Sequence, residues 1–376
     1  MNFGAVGDAF EEAIGQGILP GGVVLVGRGD EVVFNSAFGF RSLLPEKSPM
    51  QPDSIFDLAS LTKALATTTA LMLLVREKKI RLEDRVNRFI PNFGVFGKTH
   101  ITIRHLLAHC SGLPSWKPYY KEIIRAEKSG RPNFVASRGA KSFAFDGIHR
   151  EKLVAPPGTR TLYSDLGFML LGEIVEEISG WTLDRYCQER IFDPMGLRST
   201  FFVDLTQLRL RRARPVKEGI VPTENCPWRR RILCGEVQDE NAYAMGGVAG
   251  HAGLFSSAQD IHQLIGRLKR CYEGLDPFLP ADVVRRFFTR DDTVEGSSYA
   301  LGWDTPASTD SSSGSYFSAN SVGHLGFTGV SIWCDLEKNC HIILLTNRVH
   351  PTRENDGIHK FRPHIHNLIM NTLANE

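Results

Sequence analysis

Apolar and polar positions recur in different rhythms along this chain, and each rhythm predicts an element. Near the start, Phe3, Val6, Phe10 and Ile14 follow the spacing of one helical face. Short apolar runs over 23–26 and 32–35 then flank the turn Arg28-Gly29-Asp30, the pattern of a hairpin. Helical runs dominate the middle, over 64–78, 103–109, 166–179, 182–191 and 258–272. Strand-like runs return over 329–335 and 340–346, ahead of a last helix near 363–373. Strands at the ends and helices in the centre predict an α+β fold. Residues 1–70 and 280–376 form its sheet domain, and residues 71–279 an inserted, mainly helical domain. The polar, glycine-containing stretch 307–320 reads as a loop or hairpin tip that rims a cleft near His324, and 114–150 as selectivity loops.

Where a strand-like segment gives way to the run at 64–78 stands Ser60-Leu61-Thr62-Lys63. Residues three apart share a helical face, so the Lys63 amine can reach the Ser60 hydroxyl, a nucleophile beside a possible base. A helix start adds backbone N–H groups and a positive dipole end near a developing oxyanion. The spacing is common by chance, and its structural alternative is a serine near a helix start followed by a solvated lysine. Two further segments give it weight. Tyr163-Ser164-Asp165 lies between the Pro156–Gly158 turn and an apolar helical run, and His324-Leu325-Gly326 lies near the C-terminal strands.

With these three segments in order, the chain resembles the serine β-lactamase and penicillin-binding-protein superfamily. Its nearest branch looks like the class C β-lactamase-related hydrolases, which include family VIII carboxylesterases, D-alanyl-D-alanine carboxypeptidases and cell-wall amidases. Flanking segments at 101–114 and 246–255 carry the resemblance as well, so it spans most of the chain, from about Gly21 to about Asn347. The resemblance implies an antiparallel sheet covered by helices, with the active site at the domain junction. It also implies Ser60 as nucleophile, Lys63 and Tyr163 as competing general bases, and the Phe327 amide joining that of Ser60 as the oxyanion hole, with Gly326 allowing substrate close to the backbone.

Two positions depart from the penicillin-binding pattern. Asp165 stands where asparagine is common; its charge favours a protonated Lys63 and shifts base duty toward Tyr163, although burial alone would lower the Lys63 pKa. His324 stands where lysine is usual, exchanging a fixed cation for a group that ordinarily titrates near neutrality. Both weaken a β-lactamase reading. The expected activity is a serine hydrolase that forms an acyl-enzyme on Ser60 and cleaves carboxylic esters or small amides. An amidase or peptidase acting on peptidoglycan-derived peptides is the alternative, followed by a β-lactamase and by a catalytically idle binding module.

Composition narrows the remaining choices. A chain of 376 residues with 42% hydrophobic content can bury a large core. Its net charge of +2 gives no sign of a nucleic-acid partner, and the arginines within 209–214 and 229–231 read as solvated surface, with carboxylate recognition as the alternative. Seven cysteines without paired spacing do not form a disulfide framework. The longest apolar run, 64–75, contains three threonines and falls short of a membrane span, and no secretory pattern opens the sequence, so a cytoplasmic location is expected. His105 and His109 have the spacing of helical metal ligands but lack an acidic third partner. His350, His359, His364 and His366 follow no ligand pattern and read as surface, and His251 reads as part of a glycine-rich turn. No cofactor or metal is expected; the partner is a small ester or peptide substrate.

Overall fold

A computed structural model describes residues 1–375. Its main sheet has six antiparallel strands in the order Ser48–Pro49, Glu31–Ser42, Gly21–Arg28, Cys340–Thr346, Ser331–Asp335 and Ser321–Leu325. The two chain ends meet at its centre, where Val23 faces Leu345 and Val26 faces Ile342. Period-two alternation sends Val24, Val26, Ile342 and Leu344 to one face, beneath helices Gly4–Gly15 and Ile358–Ala374. Val23, Leu25, Ile343 and Leu345 point the other way, into the larger core shared with the central helices. Both faces are therefore covered, and strand Cys340–Thr346 is buried along its whole length.

Helix Ala258–Glu273 belongs to the stretch expected in the helical insertion, yet it lies on the sheet, where His262 Nδ1 meets His341 Nε2 at 2.8 Å. Ser257 caps it, accepting from the Asp260 N–H at 3.3 Å. The Asp260 carboxylate does not reach back to complete a capping box; it accepts from Ser199 N at 2.7 Å and Thr200 Oγ1 at 2.8 Å.

The central helices hold two other departures from the expected pattern. The run after Lys63 is not a plain α-helix: Lys63–Thr68 is a π-helical turn that continues into α-helix Thr69–Arg76. Such wide turns are frequent at functional sites. Residues 114–150, expected as loops, contain helices Tyr119–Lys128 and Arg138–Arg150. The stretch 307–320 forms no hairpin and does not line the cavity beside His324. It is tied instead to the C-terminal helix, through His366 Nδ1 and Ser312 O at 2.9 Å, and to the sheet, through Ser318 Oγ donating to Asp335 at 2.7 Å. No helix among the described residues is long and apolar enough to cross a membrane.

Candidate active site

Ser60 is presented by a short, tightly held turn. Strand Phe56–Asp57 delivers the chain, and the buried Asp57 carboxylate accepts from the Ala59 N–H at 2.9 Å and from the Gln238 N–H at 2.6 Å. Ala59 is thereby held at φ 45°, a left-handed conformation that a residue with a Cβ adopts only when its surroundings enforce it. Burial raises the Asp57 pKa to about 6 against the opposing effect of its two backbone donors.

Lys63 is fully buried one turn after Ser60 and is surrounded by oxygen partners. Its Nζ lies 2.9 Å from Ser60 Oγ, 3.1 Å from the His251 carbonyl and 2.7 Å from Asp165 Oδ1. Burial disfavours its charge, but Asp165 and Tyr163 outweigh that cost, and the Lys63 pKa lies above its ordinary value. Lowering by burial, which the sequence leaves open, is thus overturned by the Asp165 contact. The Tyr163 ring lies over the same ammonium, 4.9 Å from Nζ to centroid, and its hydroxyl interacts with Lys63 and Ser60. Burial raises the Tyr163 pKa, Lys63 opposes the rise and Asp165 adds to it, so the resting pair is an ammonium and a phenol.

His109 holds Tyr163 in place. Its carbonyl accepts from Leu162 N at 2.8 Å, and its ring Nδ1 accepts from Ser164 N at 3.1 Å, so the backbone is clamped on both sides of the tyrosine. The imidazole also packs 4.5 Å from the Tyr163 ring and 4.9 Å from that of Tyr299. Burial, together with Lys63 and His324, keeps it neutral. Helix Ile103–Leu107 ends before His109, whose φ is 53°, so the helical metal-ligand spacing with His105 does not exist; the His105 side chain is instead part of a capping box with Thr102.

Ser164 caps helix Asp165–Ser179, accepting from Gly167 N at 3.2 Å and donating to Pro114 O at 2.7 Å. Asp165 opens that helix and so faces Lys63. The glycine-rich turn approaches from the other side, where a Cβ on Gly250 would stand 2.1 Å from Phe168 O. That closeness brings the His251 carbonyl onto Lys63, while the His251 ring meets Asp239 Oδ1 at 3.0 Å. Ligand atoms of Asp165, Asp239 and His251 all lie within 4.8 Å of one another, a set able to hold a cation. The Lys63 ammonium already supplies positive charge beside them.

His324 is buried on the edge strand Ser321–Leu325, with its ring centroid 6.1 Å from that of Tyr163. Its Nδ1 contacts Leu325 O at 2.8 Å, which makes Nδ1 the protonated nitrogen of the neutral ring. Burial and the Lys63 charge lower its pKa to about 3, so it does not titrate near neutrality as its type alone suggests. The strand stops at Leu325, short of Phe327. Gly326 is needed for a different contact from the one expected: a Cβ there would lie 2.6 Å from Leu58 O and 2.4 Å from Val330 Cγ2. The close approach is to the protein's own Ser60 segment.

A cavity of about 690 Å3 opens at Ser60, and Tyr163, Asp165, His324, Gly326 and Phe327 also line it. Trp116 and Tyr120 form part of its wall, whereas Tyr119 is core, with its hydroxyl donating to Glu151 at 3.0 Å. Neither sequence cluster of arginines lines the cavity. Arg209 bonds the carbonyls of Asn133 and Val135, and buried Arg229 those of Val237 and Gln238. The cavity arginines are Arg348, Arg353 and Arg362, which sequence reading did not single out. Nor are all C-terminal histidines on the surface. His350 and His366 are buried, whereas His359 and His364 are exposed.

A family model described as Beta-lactamase matches residues 6–363. The chain belongs to the β-lactamase family. An N-acetylmuramyl-L-alanine amidase of Bacillus subtilis (strain 168) is 32% identical over 358 residues, which cover 88% of this chain and 78% of the relative. A putative D-alanyl-D-alanine carboxypeptidase of Escherichia coli (strain K12) is 31% identical over 355 residues, covering 87% of this chain and 78% of the relative. Among solved structures, EstCE1, a hydrolase with promiscuous acyltransferase activity, superposes with a TM-score of 0.72 at 20% identity, covering 97% of each chain. The octameric penicillin-binding protein homologue from Pyrococcus abyssi gives 0.71 at 22% identity, covering 100% of this chain and 77% of its own. This β-lactamase-family serine hydrolase thus shares its fold with enzymes of varied specificity.

Proposed function

We propose that this enzyme cleaves esters or small amides through an acyl-enzyme on Ser60. The chain Ser60 Oγ, Lys63 Nζ, Asp165 Oδ1, at 2.9 and 2.7 Å, is the observation that carries the reading. Because Asp165 retains the proton on Lys63, the acceptor of the serine proton is Tyr163 after its resting phenol has lost a proton to solvent, and the minor phenolate so formed is stabilised by the Lys63 ammonium. Ser60 Oγ attacks the carbonyl carbon, its proton passes to Tyr163, and the carbonyl becomes an oxyanion facing the amides of Ser60 and Phe327. Collapse breaks the C–N or C–O bond as Tyr163 returns the proton to the leaving group. Water then repeats the sequence and frees the acid.

Between substrate classes, peptidoglycan-derived amides have specific support. Two sequence relatives covering most of the chain are named for an N-acetylmuramyl-L-alanine amidase and a putative D-alanyl-D-alanine carboxypeptidase. A β-lactam reading lacks the fixed cation, since His324 is uncharged at neutral pH. The test is hydrolysis of p-nitrophenyl acetate and of a muramyl tripeptide by the enzyme and its Ser60→Ala variant. Turnover of either, lost in the variant, is expected; equal turnover by the variant would sink the assignment of the nucleophile.

A further inference from the structure

Two buried arginines bond the consecutive carbonyls of Gly326 and Phe327, the first of which belongs to the peptide unit that would carry the second oxyanion donor. Arg362, on the C-terminal helix, donates through Nη2 to Gly326 O at 2.7 Å and to Val330 O at 3.1 Å. Arg348, just beyond strand Cys340–Thr346, donates through Nε to Phe327 O at 2.9 Å. Its Nη1 reaches the carbonyls of Arg353 and Asn355 at 3.1 and 2.9 Å. The side-chain partners found for both guanidiniums are backbone carbonyls rather than carboxylates, and both residues are less than 8% exposed. Burying a cation that no carboxylate offsets is costly, so the contacts of Arg362 need a reason beyond cohesion. Burial and the neighbouring Arg348 lower the Arg362 pKa to about 9, which leaves it charged at neutral pH.

The geometry of the amide supplies the reason. The Gly326 carbonyl and the Phe327 N–H belong to one planar trans unit and point in opposite directions. A guanidinium fixed on the carbonyl sets the direction of the N–H. A cation there also draws electron density from the amide and strengthens its N–H as a donor. The same segment rests on Leu58 O, two residues before Ser60, so the two proposed oxyanion amides are held in a fixed relation.

We propose that Arg362 is a positioning residue for acyl transfer: it orients and polarises the Gly326–Phe327 peptide toward the oxyanion, while Arg348 fixes the next carbonyl. The proposal rests on Ser60 being the nucleophile. Arg362→Met keeps the length of the stem and removes the charge; Arg362→Lys keeps the charge with fewer donors. Loss of one oxyanion donor lowers kcat by about 100- to 1,000-fold. Arg362→Met is expected to approach that loss with KM within about threefold of the parent. Inhibition by an arylboronic acid, which forms a tetrahedral adduct on the serine, should weaken in step with kcat/KM, whereas product inhibition should not change. Arg362→Lys should recover part of kcat. Parental kcat and boronate affinity in either folded variant would overturn the proposal, as would a loss confined to KM. If the methionine variant does not fold, the lysine variant alone decides by the same measurements. Ser60→Ala run in parallel separates the two ideas: turnover that survives in it refutes the nucleophile, whereas turnover that vanishes in it and persists in both arginine variants refutes only the role of Arg362.

Discussion

At the scale of single residues, the decisive contact is the one between Asp165 and Lys63. The carboxylate is 2.7 Å from Nζ, and it raises the pKa values of both Lys63 and Tyr163. Whichever of the two accepts the serine proton, its basic form becomes scarcer because of Asp165. Asp165→Asn should therefore move the ascending, acid-side limb of the kcat/KM profile to lower pH. Activity at pH 6 would then exceed that of the parent relative to each enzyme's plateau. A profile that stays in place, or moves upward, would show that Asp165 does not set the proton inventory. Lys63→Met separates the candidates further. Without the ammonium, the Tyr163 phenolate loses its stabilising charge, so turnover at neutral pH should fall by several orders of magnitude and recover partly only as pH rises toward a tyrosine pKa that burial and Asp165 hold above its ordinary value. No recovery would favour Lys63 itself as the base.

At the scale of elements, the site is a junction of three backbones brought unusually close. The π-helical turn Lys63–Thr68, helix Asp165–Ser179 and the turn around Gly250 meet where Thr67 Oγ1 donates to Gly250 O at 2.7 Å. A Cβ at Gly250 would meet Phe168 O at 2.1 Å and Gly172 N at 2.9 Å, both backbone atoms that cannot move as a side chain can. Gly250→Ala should cost about 1–3 kcal/mol of stability, as overpacking does. It should also lower kcat by pushing the His251 carbonyl off Lys63. Urea denaturation and ester turnover on one preparation check both effects; an unchanged midpoint would mean that the junction yields more easily than its geometry implies. Sequence showed the chemistry at this junction better than its support. Spacing alone brought Ser60 and Lys63 together as candidates, whereas Tyr163 and His324 were marked only by the resemblance of their segments to the family's motifs. The role of His109 was marked by neither, because its work depends on φ 53° and a fold-made contact with Tyr163. Arg362 lies 36 residues from the carbonyl it bonds, and no local pattern marks that pairing. Helix Tyr119–Lys128 was missed because it buries only Tyr119 and Ile123, and Arg138–Arg150 because Gly139 and Gly147 disfavour a helix. The reason for Gly147 is visible only in space: a Cβ there would stand 2.7 Å from the Tyr119 ring.

At the scale of the whole molecule, the buried histidines and aspartates make stability depend on pH in a direction that can be worked out. His324 and His341 have pKa values lowered to about 3, and His366 to about 4. His109 is lowered as well, and burial is the leading cause in all four. A histidine with a depressed folded pKa contributes stability that is present above its unfolded value of about 6.5 and is lost as pH falls toward the folded one. Asp57 and Asp304 act oppositely. Burial raises each to about 6, so their contribution is present below the unfolded carboxylate pKa and lost as pH rises through 6. Near pH 5 the unfolded chain holds protons on the four histidines and few on the two aspartates, while the folded protein does the reverse. Across these six groups the unfolded state binds an excess of about two protons, which lowers stability by about 2–3 kcal/mol per pH unit on acidification in that region. Denaturant midpoints at pH 7 and pH 5 check the sign; a midpoint that holds or rises on acidification would contradict it. Asp57→Asn sharpens the test, because it removes one of the two opposing groups. Whatever its effect on absolute stability, the slope between pH 5 and 6 should steepen by roughly one proton. An unchanged slope would mean that Asp57 stays ionised beneath the Ser60 turn.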